Sequence, residues 1–319
     1  MYKIPSILTT DEVLDKAFKR ASKVQVTVKD KFQRHNRIAI AKVRAASNTI
    51  SSTLNKYIKS FPSFENIPLF YYELFDVSIG IDDLKKSLGA LDWCKKKVMK
   101  IADEAVKNII RSRNKTEIQK FRNAAYGRFS SILKQISSDL DLLSNARKIL
   151  LSAPVIDAKK PTVVIAGAPN VGKSLLVARI SSAKPKIASY PFTTKGISIG
   201  HFESNGRIYQ VIDTPGLLDR KMNKRNEMEL KAILALRHLA NVIVFVIDPS
   251  EYCGYEMDMQ LRILSDINSQ FSGIPIIEVE NKVDILRLES TRLKISAIEK
   301  KGIEDLKEAI LANFHEKSI

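Results

Sequence analysis

The chain has 319 residues, 45% apolar and 27% charged, with 52 Lys and Arg against 35 Asp and Glu and a formal net charge of +17. This is material for about two packed domains, with no compositional sign of bulk disorder. No apolar run approaches the roughly 20 residues of a membrane span, the opening Met-Tyr-Lys-Ile-Pro-Ser lacks a secretory hydrophobic region, and Cys94 and Cys253 form no CxxC pair, which excludes a disulfide framework and a Cys-based zinc site and makes a reducing cytosol the expected setting.

In chain order, the first half reads as helical. Val24, Val26 and Val28 alternate with polar residues, the period of a short strand. A helix follows over 33–60, with Ile40, Val43, Ile50, Leu54 and Tyr57 on one side, and Phe61-Pro62-Ser63 ends it. From Leu84, positions Leu88, Leu91, Val98, Ala102, Ala105 and Ile109 mark one face of a long helix, and Trp93 beside that stripe reads as core. After Arg113-Asn114-Lys115 a second stripe runs through Ile118, Phe121, Ala125, Phe129, Ile132, Ile136, Leu140 and Leu143. It predicts one further long helix, antiparallel to the first.

Residues 153–161 carry Pro154 and Pro161 without periodicity and read as a linker. Beyond it, β-rich runs at 162–166, 208–212, 241–247 and 275–279 alternate with helical stretches at 174–181, 227–239 and 303–315. The expected organisation is an all-α helical bundle over 1–152, the linker, and over 162–319 an α/β P-loop domain with a mostly parallel sheet and helices on both faces.

The P-loop is Gly167-Ala168-Pro169-Asn170-Val171-Gly172-Lys173-Ser174, followed by Leu175. It sits between a predicted strand and a predicted helix, where backbone N–H groups and the helix dipole receive phosphate. Lys173 is placed to reach the β- and γ-phosphates and Ser174 to ligate Mg²⁺. Downstream, Asp213-Thr214-Pro215-Gly216 offers a carboxylate to Mg²⁺ through a water and the Gly216 N–H to the γ-phosphate. In Asn281-Lys282-Val283-Asp284, Asp284 suits guanine N1–H and N2–H₂, Lys282 lies over the base, and Asn281 ties the loops together. Ser296-Ala297 supplies a backbone N–H to guanine O6, which adenine's amino group would repel. Together these motifs predict GTP and GDP binding.

The metal also needs a threonine from the loop at 190–196; Thr194 is the first candidate and Thr193 the second. Leu217 follows Gly216 where a Ras-type enzyme carries its water-orienting glutamine, so slow unaided hydrolysis is expected. Asn170 either coordinates K⁺ beside the phosphates or simply caps the loop.

Charge is uneven. Residues 1–160 hold 31 basic and 16 acidic side chains, and residues 161–319 hold 21 and 19. Arg34, Arg37 and Arg44 share one side of the 33–60 helix, Lys95 and Lys96 belong to a second cluster, and Arg111 and Arg113 crowd the turn between the long helices. Such clusters suit the phosphate backbone of structured RNA.

The phosphate loop, residues 190–195 and residues 213–220 resemble the Obg-related GTPases. Arg225-Asn226-Glu227, residues 232–239, the run Asp248-Pro249-Ser250-Glu251-Tyr252-Cys253-Gly254-Tyr255, residues 32–44, the Phe61-Pro62 corner and Leu88-Gly89 resemble, within them, the nucleolar GTP-binding protein (Nog) family. The resemblance implies a GTP-hydrolysing switch in large ribosomal subunit assembly, with ribosomal RNA and the subunit precursor as partners of the helical half, monomeric off the ribosome. Eukaryotic members continue into a basic extension where this sequence stops at Ile319, so an archaeal-type, cytoplasmic member is expected. Only eleven residues separate Asp284 from Ser296, so the outer helix usual there is expected to be shortened or missing. Two other readings stay open: a GTPase whose helical half binds a protein in transport or signalling, and an RNA-binding scaffold with an inert GTPase domain.

Overall fold

A computed structural model describes residues 3–190, 193, 196–219, 225 and 227–314. The chain forms two units, Met1–Glu65 with Ile79–Leu151, and Asn66–Ser78 with Ser152–Ile319.

The first unit is built from helices whose ends are written locally. Thr9 and Glu12 form a capping box that opens α1 (Thr10–Ser22), each side chain satisfying the other's backbone N–H. Asp30 caps α2 (Lys31–Ser60) by accepting the Gln33 N–H at 2.6 Å. Pro62 holds the preceding Phe61 extended, which ends α2. Leaving α3 (Leu69–Ile79) for the second unit, the first continues with α4 (Ile81–Arg111), α5 (Lys115–Lys134) and α6 (Ser137–Ser152). Val43, Ile50 and Leu54 of α2, Leu84, Leu91, Val98 and Ile109 of α4, and Phe129 and Leu133 of α5 are fully buried. Each contributes about 1.5–3 kcal/mol of transfer free energy. Asn36 donates to the Ile109 carbonyl at 2.8 Å, sharing with the Ser112 N–H an acceptor in the last turn of α4.

Three expectations for this half are corrected. The second long stripe is two helices: the Gln135 and Ile136 N–H groups reach back only three residues, to Ile132 and Leu133, and the ladder restarts with the Leu140 N–H on Ile136. The apolar stripe continues across the break because Ile136 is buried. Val24, Val26 and Val28 are half-buried in an extended run that pairs with no described strand, so their alternation reports one-sided packing. Trp93 is 38% exposed, with Lys97 Nζ 6.0 Å from its ring centre.

Among the described residues the second unit holds a seven-stranded sheet: β1 (Thr162–Ala166), β2 (Lys186–Ala188), β3 (Ile197–Ser204), β4 (Arg207–Asp213), β5 (Val242–Ile247), β6 (Ile276–Glu280) and β7 (Leu293–Lys294), in the order β2-β3-β4-β1-β5-β6-β7. β2 and β3 are antiparallel to their neighbours and the other pairs are parallel. Asn205-Gly206, both at positive φ, turn the β3–β4 hairpin. β1 and β5 are buried throughout, as central parallel strands require. Helices α7 (Lys173–Ile180), α8 (Glu227–Arg237), α9 (Met257–Gln270) and α10 (Ile303–Ala312) complete the unit. No helix lies between Asp284 and β7; instead Arg292 bridges Glu278 at 2.6 Å and Glu280 at 3.5 Å along the sheet edge.

Helix α3 departs from the 1–152 boundary. Phe70 and Leu74 sit in the core of the α/β unit. The Tyr71 hydroxyl stands 2.8 Å from the carbonyls of Pro154 and Ile156 and accepts the Ile156 N–H at 2.9 Å, and Glu73 meets His238 at 2.9 Å. Ile156 is itself buried, so the stretch expected as a linker is partly core. Among the described residues no helix is long and apolar enough to cross a membrane.

Candidate functional site

The phosphate loop leaves β1 and enters α7. A Cβ on Gly167 would overlap the Val246 carbonyl, and one on Gly172, at φ +102°, would overlap the Asn281 amide. Ala168 and Val171 are buried behind the loop. Pro169, Asn170, Gly172, Lys173, Ser174, Leu175, Pro215, Gly216 and Asp219 line a cleft of about 500 Å³. Lys173 folds over the loop, its ammonium 2.9 Å from the Gly167 carbonyl and 2.7 Å from that of Ala168. Burial lowers its pKa, and the carboxylates of Asp213 and Asp219 oppose that fall.

Asp213 ends β4 fully buried. Ser174 donates to its Oδ2 at 2.5 Å, and its Oδ1 has no hydrogen-bond partner. Burial raises the Asp213 pKa against the Ser174 bond and the Lys173 charge. A buried carboxylate with an orphaned oxygen beside a hydroxyl is a donor set for a hard divalent cation. Thr194, the expected switch ligand, lies outside the described residues. Thr193 spends its hydroxyl on the Tyr190 carbonyl at 2.8 Å. Leu217 and Leu218 are buried.

Asn281 joins three loops. It donates to the Val171 carbonyl at 2.8 Å, and its oxygen accepts the Ala297 N–H at 3.0 Å. That N–H, one of the two at Ser296-Ala297, is used internally, and the Ser296 N–H donates to the Lys301 carbonyl at 3.1 Å. Ser296 donates to Asp284 at 2.5 Å, and Arg179 of α7 holds the Ala297 carbonyl at 2.9 Å. Lys282 reaches Asp248 at 2.6 Å. Asn170, exposed and at φ +61°, brings its amide nitrogen 3.5 Å from the Cys253 carbonyl.

Sequence reasoning missed Asp248 and Asp219. Asp248, buried at the end of β5, accepts from Ser250, the Cys253 N–H and Lys282, and so fixes both the 248–255 loop and the Lys282 side chain. The signal was an acid ending a central strand, beside the asparagine-lysine motif that ends the next.

In the helical unit, Arg34, Arg37 and Arg44 are exposed on α2, and Arg111 and Arg113 are exposed between α4 and α5. Lys95 and Lys96 both pair with Asp92 at 2.7 Å, and Lys95 turns toward Asn55, so this pair projects less charge than its sequence suggests.

A phosphate cleft between a strand and a helix, faced by a buried acid and closed by an asparagine-tied base loop, defines the second unit as a P-loop domain of the GTPase class. Residues 1–157 match the NOG1 N-terminal helical domain, and residues 227–284 match the nucleolar GTP-binding protein 1 (NOG1) family. An uncharacterised protein of Methanocaldococcus jannaschii is 41% identical over 89% of this chain and 81% of its own length. Nucleolar GTP-binding protein 1 of Encephalitozoon cuniculi is 36% identical over 77% of this chain and 47% of its own, and that of Arabidopsis thaliana 33% over 93% and 44%. A crystal structure of the Plasmodium falciparum nucleolar GTP-binding protein 1 covers 51% of this chain and 90% of its own at 32% identity, with a TM-score of 0.46. The chain belongs to the NOG1 family. It spans less than half the length of the Encephalitozoon cuniculi and Arabidopsis thaliana relatives.

Proposed function

We propose that the α/β unit binds GTP and GDP and hydrolyses GTP, and that the helical unit uses this switch in binding ribosomal RNA on large-subunit precursors. The observation that carries the nucleotide reading is the Asn281 bridge, which places the phosphate loop and the Ser296-Ala297 loop at opposite ends of one side chain. Phosphates lie against Lys173 and the α7 N-terminus. Asp284, oriented by Ser296, accepts from guanine N1–H and N2–H₂. With the Ala297 N–H engaged by Asn281, base selection falls chiefly to that carboxylate.

Ser174 and, through a water, Asp213 fit Mg²⁺, with Thr194 as the ligand that closes the switch. Held by these residues, Mg²⁺ would supply positive charge to the phosphate oxygens. The buried Leu217 offers no group to orient water, so unaided turnover is slow. Asn170, at the cleft rim, is the candidate ligand for K⁺; equal hydrolysis rates in potassium and sodium buffers remove that assignment. The helical unit, with 29 basic against 13 acidic side chains, presents Arg34, Arg37, Arg44, Arg111 and Arg113 to RNA phosphates. We place the protein in the cytoplasm, monomeric when off the ribosome.

Calorimetry with GTP, GDP and ATP tests the nucleotide reading; equal affinity for adenine and guanine nucleotides removes it. Co-sedimentation with large-subunit particles in GTP against GDP tests the switch. Unaltered association in both Lys173→Ala and Asp213→Ala variants would leave a nucleotide-binding protein without a switch.

A further inference from the structure

The sequence assigns Asp219 no role, yet its side chain turns back into the phosphate cleft. Its Oδ2 accepts the Gly216 N–H at 2.8 Å. Its Oδ1 lies 3.6 Å from Arg225 Nη2, and Arg225 Nη1 donates to the Gly216 carbonyl at 3.0 Å. The side chains of Asp219 and Arg225 are 14% and 1% exposed. Gly216 is thus held on both sides, its N–H by a carboxylate and its carbonyl by a guanidinium. The carboxylate lines the same cleft as Lys173 and Ser174.

The Gly216 N–H is the donor that a γ-phosphate would use. A carboxylate and a phosphate cannot both take one N–H, because two anions brought that close repel each other. We infer that Asp219 is a resident competitor of the γ-phosphate and a residue that sets the preference between guanosine di- and triphosphate. A diphosphate leaves the Asp219–Gly216 bond in place. A triphosphate displaces the carboxylate, and the Asp219–Arg225 contact is lost with it. Part of the binding free energy of the terminal phosphate is then spent on freeing Gly216, and the contacts among Gly216, Asp219 and Arg225 differ between the two nucleotide states. The inference rests on the guanine-nucleotide reading of the site and adds to it a specificity residue.

The test compares affinities of the full chain for fluorescent GDP and a fluorescent non-hydrolysable GTP analogue, in wild type, Asp219→Ala and Asp219→Asn. Removing the competing acceptor in Asp219→Ala is expected to tighten the triphosphate analogue at least about tenfold while GDP stays within about twofold, the size of one charge-assisted hydrogen bond. Asp219→Asn keeps an oxygen acceptor without the charge and falls between; it carries the test if the alanine variant does not fold. Exchange of the Gly216 amide in nucleotide-free protein, slow in wild type, quickens in Asp219→Ala. An unchanged ratio of the two affinities, or weaker triphosphate binding, overturns the inference. A wild-type protein that binds neither guanine nucleotide removes the reading of the site itself.

Discussion

In the α/β unit the loops at the strand ends are tied to one another by side chains: Asn281 to Val171 and Ala297, Ser174 to Asp213, Lys282 to Asp248. In the helical unit Arg34, Arg37 and Arg44 of α2 are exposed to solvent. One unit is preorganised for a small ligand of fixed shape, whose recognition depends on placing donors and acceptors accurately. The other presents charge over an extended surface, which suits a large polyanion recognised by its backbone. Nucleotide affinity should therefore hinge on single atoms, and RNA affinity on summed charge.

The sharpest break of that comparison is Lys173→Ala. Removing a buried, hydrogen-bonded cation that faces the phosphates is expected to cost about 3–5 kcal/mol of GTP affinity. RNA binding by the nucleotide-free protein should not change, and a parallel loss in both assays would mean that the two units are not separable. Next comes Phe70→Ala. Phe70 is buried among α/β residues, near Tyr190 with ring centres 6.4 Å apart. Truncating it should cost about 3–5 kcal/mol. Hydrogen exchange should quicken in β1 and β5 while α2 and α4 keep their protection. The reverse pattern would return α3 to the helical unit.

The contrast between the units also explains what could be read from the chain alone. The phosphate loop, the buried acid and the base loop were legible because their chemistry demands fixed spacings at strand ends. The α2 and α4 stripes were legible because each buries one face over many turns, α2 from Ala39 to Tyr57 and α4 from Ile81 to Ile109. Asn205-Gly206 carried a hairpin signal that would have disclosed β3 before β4. Helix α3 was harder: an apolar stripe tells a helix to bury a face, not which core to enter. Its one hint was composition, since 66–78 carries Glu73 and Asp76 but no basic residue within an otherwise cationic half. Asp219 was invisible for a different reason, and Asp248 showed only as an acid ending a central strand. Their roles come from turns that bring them back onto Gly216 and across to Lys282, and no local pattern encodes that return.

A smaller effect sharpens the helical side of the comparison. Reversing Arg34, Arg37 and Arg44 to Glu should weaken ribosomal RNA binding and lower the log–log salt slope by about one unit per lost phosphate contact. GTP and GDP affinities should remain at the wild-type values. A salt slope unchanged by the triple reversal would move the RNA face away from α2.

The smallest expected effect concerns Asp248, and its sign follows from its surroundings. Burial pushes the carboxyl pKa up, but the Lys282 ammonium and the Ser250 bonds outweigh it, with the Cys253 N–H adding to them, and hold it below the ordinary carboxylate value. An acid whose pKa is depressed on folding stabilises the fold fully above its unfolded value, about 3.9, and loses that contribution as pH falls through the folded value. Asp248→Asn should cost about 2 kcal/mol at neutral pH, the scale of a hydrogen bond to a charged group. The gap between wild type and variant, followed by denaturant unfolding, should stay constant through the neutral range and close only in acid, below about pH 4. The same substitution frees Lys282 from its anchor, so guanine nucleotides should bind more weakly while the RNA salt slope stays as in wild type. A stability gap that persisted undiminished well below that pH would show that the Asp248 charge is not what holds the lysine, and that the loop is fixed by the neutral bonds around Gln260 instead.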